Sequence, residues 1–288
     1  MHSYTTDAII LKRFNLGEAD RVLTILTRDR GRVAAIGRGI RRTKSRLGGH
    51  LELFSMTNLT LSEGRTFDSI SSADLQEPHT GLSTIVERVN AAHYVAEAVL
   101  KLTVEAQEVD RLFELVAATF AALARSTTTA GILAGFQLKL LTLLGHQPLL
   151  EQCVHCREKF QTPNSKLQIS SEAPKNQNKP SADDPLTSHF LLLTKHVAGF
   201  DTIHGGLVCR ECLANLHHPI VSCDEAGRAC LRSLLIEPLA ETRATDAGFR
   251  TAVRVIEQAL LNQTERPLKS RAFVDLAPAS VLLSSSTG

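Results

Sequence analysis

Two pairs of cysteines carry the most specific chemistry in this sequence, Cys153-Val154-His155-Cys156 and Cys209-Arg210-Glu211-Cys212. Each C-x-x-C knuckle can place two thiolates on one tetrahedral Zn²⁺, so together they predict a single Cys₄ site. Four thiolates leave no open position for water, which makes the expected zinc structural rather than catalytic. The gap from Cys156 to Cys209 exceeds the usual spacer of about 15–20 residues, but setting aside the polar stretch 161–188 leaves roughly 25, close to an ordinary zinc ribbon. Such an insertion costs little, because loop-closure entropy grows only logarithmically with length. A redox pair in one knuckle, or chance spacing, are the competing readings. Cys223 and Cys230 fall outside knuckle spacing and read as buried apolar residues. His155, inside the first knuckle, is a competing ligand.

The second chemical feature is a concentration of positive charge. Between Arg28 and Arg46 there are eight basic residues, Arg28, Arg30, Arg32, Arg38, Arg41, Arg42, Lys44 and Arg46, against one acid, Asp29, in a chain of net charge +2. The last five share their stretch with Gly37, Gly39, Gly48 and Gly49, a mobile backbone on which guanidinium groups can follow a phosphate chain. The competing reading is a solvated basic loop. Aromatic residues are 5% of the chain, with no Trp, so base stacking is thin. Phe14, Phe54 and Phe67 are the nearest candidates, and each is expected in a core.

These residues must be held by elements that the hydrophobic pattern reveals. Up to about Pro78, five short strands are expected, at 8–11, 22–27, 32–37, 55–61 and 66–70, separated by turn residues. Five strands in under 80 residues suit an OB-type barrel better than a seven-stranded sandwich, with an SH3-like barrel as the alternative. From Thr80 the apolar period changes to about 3.6. Helices are expected over about 82–99 and 109–123, and over 130–144, where the segment is apolar nearly all round, central in its bundle and closed by Gly145. Further helices follow at 224–237 and 246–262. The fold class is therefore α+β multidomain. Its parts are a barrel at 1–79, a helical domain at 80–150 and 216–288, and between these a zinc module at 151–215 with a flexible insertion at 161–188. The serine-rich end, 281–288, is expected to fray.

With 43% hydrophobic and 22% charged residues in 288, the chain can bury real cores, and wholesale disorder is excluded. The near-neutral net charge means that nucleic-acid affinity must come from local clustering. No basic n-region precedes an apolar run at the start, and the apolar segment 131–144 is shorter than the roughly 20 residues a bilayer needs. A soluble cytoplasmic protein with no membrane partner is expected. Among enzymes, His50-Leu51-Glu52 matches the H-x-E of zinc deaminases, but Gln152 replaces the proline before Cys153, and two cysteines would be left without a role. No Walker, G-x-S-x-G or H-E-x-x-H motif occurs, so a non-enzymatic binding protein is expected. An RNA-binding or transcription-associated OB and zinc-ribbon protein is the alternative.

Several segments also resemble a known family, the bacterial recombination mediators RecO. They are Asp7–Arg13, Gly17–Arg21, Leu26–Arg32 and Gly39–Arg46 in the first half, then Leu141–Leu150 before Cys153, and Leu268–Phe273 near the end. Each is weak alone, but they occur in the family's order along essentially the whole chain. The resemblance implies an OB-fold domain, a helical domain and, where the four cysteines are kept, a zinc module. It implies binding of single- and double-stranded DNA, strand annealing, a RecR partner, capture of the C-terminal tail of the single-strand-binding protein SSB, and RecA loading. By the same resemblance, the DNA contacts are Arg38, Arg41, Arg42, Lys44 and Arg46, with Arg13 and Arg21 beside them. An acidic, apolar-ended SSB tail needs a hydrophobic groove with a basic rim, for which Arg125, Lys139 and Arg254 are candidates against the plainer reading of solvated helix charges. The 161–188 insertion departs from the family pattern.

Overall fold

Alternation of apolar and polar residues builds the first five strands, β1 (Ser3–Leu16), β2 (Asp20–Thr27), β3 (Gly31–Gly37), β4 (Met56–Ser62) and β5 (Asp68–Glu77). In the computed structural model, which describes residues 2–43, 45, 47–106, 111–160, 196–242, 244, 248–264 and 266–276, they close into a barrel of order β1-β2-β3-β5-β4. β1 pairs with β4 to complete the ring, and β3 pairs with β5 in parallel at Ala35↔Asp68 and Ile36↔Ser69. This closed order with one parallel pairing is OB-like and disfavours the SH3-like alternative. All five expected strands form. β1 runs well beyond 8–11 because a register shift between Ile10 and Lys12 bends it, so that its first half pairs with β4 and its second with β2. Inside lie Ala8, Ile10, Leu23, Ile25, Ala35, Leu59, Leu61 and Ile70, every second residue of their strands, capped by Ile40 and Leu51 from the β3–β4 connection.

Three helices follow, α1 (Val86–Leu102), α2 (Leu112–Arg125) and α3 (Ala130–Leu143). α3 is buried at all but a few positions, as its pattern predicts, and its polar Gln137 hydrogen-bonds the Tyr94 hydroxyl. The chain leaves α3 at Gly145, whose φ of +85° favours glycine. Lys139 does not reach solvent as a free charge. Its ammonium donates to the carbonyls of Leu234, Leu235 (3.0 Å) and Glu237 (2.9 Å), near the end of a later helix.

The remainder contains a small sheet of order β7-β6-β8, with β6 (Val197–Asp201), β7 (Gly206–Cys209) and β8 (Val221–Ser222). The sequence reading missed it, because strands this short carry no usable period. One helical turn, α4 (Arg210–Leu213), leaves β7, and two amphipathic helices, α5 (Glu225–Ile236) and α6 (Phe249–Thr264), close the order. The chain divides into two compact units. One comprises Met1–Gln147, Ser233–Asp246 and Ala259–Gly288, and the other Pro148–Arg232 and Ala247–Gln258. Among the described residues no helix is long and apolar enough to cross a membrane. The expected insertion at 161–188 and the frayed tail at 281–288 lie outside the described residues, as do Lys44 and Arg46.

Candidate nucleic-acid interface and metal centre

The basic residues do not form one free patch. Arg28 pairs with Asp7 (3.4 Å) and Glu114, and its guanidinium lies over the Phe113 ring of α2. Arg30 pairs with Glu63 at 2.6 Å and covers the Tyr4 ring, and Arg32 donates to the Leu100 carbonyl at the end of α1. These three are structural residues of the first unit. Arg38, Arg41 and Arg42, on the turn after β3, are exposed and carry no ion pair among the described residues. Arg41 donates to the Gly17 carbonyl (2.9 Å), so its side chain reaches the β1–β2 turn.

The turn is less mobile than its glycines suggest. Ile40 is buried in the barrel core, packed so closely on Gly37 that an added Cβ there would come within 2.9 Å of it. The Gly39 N–H donates to the Asp20 carboxylate (2.7 Å), and the Arg41 N–H to the Ala19 carbonyl (3.0 Å). Gly39 itself sits at φ +66°, a conformation that L side chains adopt only with strain. Thus the backbone of the basic turn is pinned to the β1–β2 turn, and three guanidinium groups project from a fixed root.

Arg13 and Arg21 are placed differently. Arg13 is ion-paired with Glu52, and Arg21 donates to the Asn15 side chain at 3.2 Å. Strand alternation puts Phe14 and Leu16 on the side of the β1–β2 ribbon opposite Arg13, Asn15 and Arg21. Phe14 is 47% exposed, which corrects its expected place in a core, whereas Phe54 is buried and packs against Phe120. Phe14 thus offers an exposed phenyl ring on the second half of β1, which composition alone concealed. The signal available was the position of Phe14, beyond the β1 irregularity and near the strand's end.

In the second unit the four cysteines come together. Cys153 opens a tight hairpin in which its N–H donates to the Glu158 carbonyl and the Arg157 N–H returns to the Cys153 carbonyl, each at 2.9 Å. The Val154 N–H donates to the Leu207 carbonyl of β7 (2.9 Å), which brings this knuckle to the second one. Cys209 ends β7, and its sulfur accepts the Cys212 N–H at 3.4 Å across the α4 turn. Gly206 admits no side chain, since a Cβ would stand 2.3 Å from Val154 Cγ1. The wholly buried Arg228 of α5 holds the approach to the first knuckle, donating to the Leu150 carbonyl (2.8 Å) and pairing with Glu151 and Glu225.

The sulfurs of Cys153, Cys156, Cys209 and Cys212 all lie within 4.8 Å of one another, and Cys156 and Cys209 are 3.9 Å apart. Thiolates at about 2.3 Å from a tetrahedral ion stand about 3.8 Å apart, so the group fits such an ion. Burial opposes the Cys153 thiolate, but backbone N–H groups of Cys156, Cys209 and His155 outweigh it and bring this thiol to about 7. Burial and the neighbouring sulfurs push the Cys212 thiol up. A cation between them removes that conflict. His155 is not in the sulfur group and turns instead to Asp201. Cys223 is buried as expected, and Cys230 is only partly covered. His50 and Glu52 serve the barrel, His50 accepting the Leu75 N–H and Glu52 pairing with Arg13, so neither joins the cysteines.

Comparison with known proteins decides the family. A family model described as "Recombination protein O N terminal" matches residues 1–79, and one described as "Recombination protein O C terminal" matches 86–204. The "DNA repair protein RecO" of Pelotomaculum thermopropionicum is 32% identical over 279 residues, covering 96% of this chain and 94% of its own length. The chain belongs to the RecO family of DNA repair proteins. The RecO proteins of Roseiflexus (31% identical, 94% of this chain and 85% of that one) and Rubrobacter xylanophilus (30%, 90% and 91%) are similarly close.

Within this RecO-family chain, the Leu268–Phe273 motif that contributed to the resemblance has a structural reason. The Glu97 carboxylate of α1 accepts the N–H groups of Lys269 (2.9 Å) and Ser270 (2.8 Å) and the Ser270 hydroxyl (2.6 Å), which fastens this segment to the first helix. Burial opposes the charge on Glu97, yet these donors hold its carboxyl below the ordinary glutamate range.

Proposed function

We propose that this chain is a non-enzymatic DNA-binding mediator that anneals complementary single strands and, with a RecR partner, helps RecA load onto SSB-coated single strands. The observation that carries this reading is the pinned turn after β3, which presents Arg38, Arg41 and Arg42 to solvent from an OB-like barrel. A pinned backbone spares the cost of ordering the turn when its cations meet phosphates, and each phosphate neutralised releases counterions, so binding is electrostatic, tolerant of sequence and weakened by salt. Lys44 and Arg46, next in the sequence, are assigned to the same contacts, as are Arg21 and Arg13, the latter freed only when its pairing with Glu52 is exchanged for phosphate. Phe14 supplies a ring on which an unpaired base can stack, which favours single strands. No bond is made or broken. The work is competition for single-stranded DNA and the holding of two complementary strands close enough to pair.

The four cysteines hold one structural zinc ion in this reading, and the thiolate donor set supports that choice of metal. Bound zinc supplies only cross-linking, and the chain's own β6–β7 hairpin and Arg228 position the two knuckles around it. The functional divisions follow the sequence: a DNA-binding barrel at 1–79, a helical domain at 80–150 and 216–288, and a zinc module at 151–215. For capture of the SSB tail, Lys139 is withdrawn as a rim residue because its ammonium caps helix carbonyls, whereas Arg125 and Arg254 are exposed. The expected location is the cytoplasm, at the nucleoid.

The test is annealing of complementary strands coated with the cognate SSB, with and without this protein, over a salt series and with RNA strands of equal length in parallel. Acceleration on DNA that fades with salt supports the reading. No acceleration together with no DNA binding at low salt overturns it, and a clear preference for RNA replaces it with the RNA-binding alternative.

A further inference from the structure

A second polar cluster sits on the same hairpin as the cysteines and is not explained by them. Asp201, the last residue of β6, has a wholly buried side chain. Its Oδ1 accepts the N–H groups of Ile203 (2.9 Å) and His204 (3.2 Å) and so shapes the turn into β7. Its Oδ2 faces three imidazole nitrogens at once, His155 Nε2 at 2.9 Å, His204 Nδ1 at 2.7 Å and His218 Nε2 at 2.9 Å. A carboxylate oxygen has two lone pairs, so three ring N–H donors are one more than it can serve well. The rings gather around this oxygen edge-on or tilted to one another, at centroid separations of 5.0 and 6.0 Å.

A cation resolves the excess, because it takes lone pairs from nitrogen and oxygen alike. Imidazole and carboxylate are the ligand types of zinc and its neighbours among the divalent transition metals. At Zn–N and Zn–O distances of about 2.0–2.2 Å, tetrahedral ligand atoms stand about 3.4 Å apart. The ligand atoms of His155, Asp201 and His204 already lie within 4.8 Å of one another, so an ion needs only a small parting of rings and carboxylate. The His204 side chain is 54% exposed, which gives the ion a path from solvent.

We propose that His155 Nε2, His204 Nδ1 and Asp201 Oδ2 form a second divalent-cation site of zinc type, distinct from the Cys₄ group, with His218 as a positioning residue that holds the Asp201 oxygen. His155 lies between Cys153 and Cys156, Asp201 ends β6, and His204 lies in the turn that leads to β7 and Cys209. An ion here ties the first knuckle to the hairpin of the second by a route that uses no sulfur. The inference does not depend on DNA binding.

The test is metal stoichiometry on the full chain without an affinity tag, by equilibrium dialysis in a free-zinc series with elemental analysis. A Co²⁺ titration, read by absorption, separates the sites, since thiolate-bound cobalt shows charge-transfer bands that a nitrogen–oxygen site lacks. The expected result is two ions per chain, of which a thiol-specific mercurial releases one. His204→Ala, with His204→Gln as a second variant should the first misfold, keeps one ion and the full charge-transfer bands. His218→Ala keeps both sites with the second about 10–100-fold weaker, the usual cost of losing an outer hydrogen bond to a ligand. Saturation of the parent chain at one ion that both His204 variants retain, or two ions persisting in both variants, overturns the proposal. Absent charge-transfer bands with a His204-dependent ion still bound would refute the Cys₄ reading alone.

Discussion

Ile40→Ala removes the anchor of the basic turn without removing a charge, and so separates the number of cations from their presentation. Ile40 is 4% exposed and packs in the barrel core with Leu51 and the inward residues of the strands. Three carbon groups leave that core, at about 0.8 kcal/mol each, and the space left behind adds to the loss, so the cost is about 2.5–4 kcal/mol. With a urea slope of about 1–3 kcal/mol per molar, the midpoint falls by about 1–2 M or more. The Asp20 and Ala19 hydrogen bonds remain, so the turn is loosened rather than lost. Re-ordering one residue on binding costs about 1–2 kcal/mol, which predicts DNA affinity lower by about 5–30-fold at fixed salt. The logarithmic salt slope stays unchanged, because every positive charge is kept. Fluorescence anisotropy of a labelled oligothymidine over a salt series, beside urea unfolding, reads all three quantities. Parent-like affinity in a variant that has lost the expected stability would refute the idea that DNA meets a pre-ordered turn.

Other substitutions probe separate parts of the account. Phe14→Ala should weaken single-strand binding by about 1–3 kcal/mol, the value of one base–aromatic stack, and leave duplex binding nearly unchanged in the same anisotropy assay. Lys139→Met keeps the apolar stem but strips the α5 end of its ammonium donor. Thermal unfolding should show a loss of about 2–3 kcal/mol, below the sum of its hydrogen bonds because half-burial already costs the ammonium some hydration. Glu97 has a folded-state pKa below its unfolded one, so its stabilisation is complete above the ordinary glutamate value of about 4.3 and is lost as pH falls through the lower folded value. Melting temperatures from about pH 6 to about pH 3 should therefore fall less steeply for Glu97→Gln than for the parent chain.

Much of this was legible in the sequence because its signals are local. The two knuckles have fixed spacing, the strands alternate with period two, and the nearly all-apolar 130–144 segment can only be a central helix. What was not legible depended on partners far along the chain. Nothing in the run Arg28 to Arg32 reveals that Glu114, Glu63 and the Leu100 carbonyl neutralise or engage those side chains. Ile40 looks like one apolar residue in a basic loop until the barrel closes around it. Lys139, read as a charge on a helix face, turns out to serve the end of another helix 95 residues later. The Asp201 cluster draws on four residues spread between 155 and 218, a spacing without a motif, and the β6–β8 sheet that assembles it is too short to show a period.

The central claim is that an exposed basic turn on the OB-like barrel carries DNA, and its most direct test is the salt dependence of single-strand binding for a chain with Arg38, Arg41 and Arg42 all changed to Ala. With a slope of about 0.7 per phosphate neutralised on single strands, loss of three contacts should flatten the logarithmic slope by about 2 and lower affinity alike for all sequences. A slope equal to that of the parent chain would remove the turn from the DNA path and contradict the account.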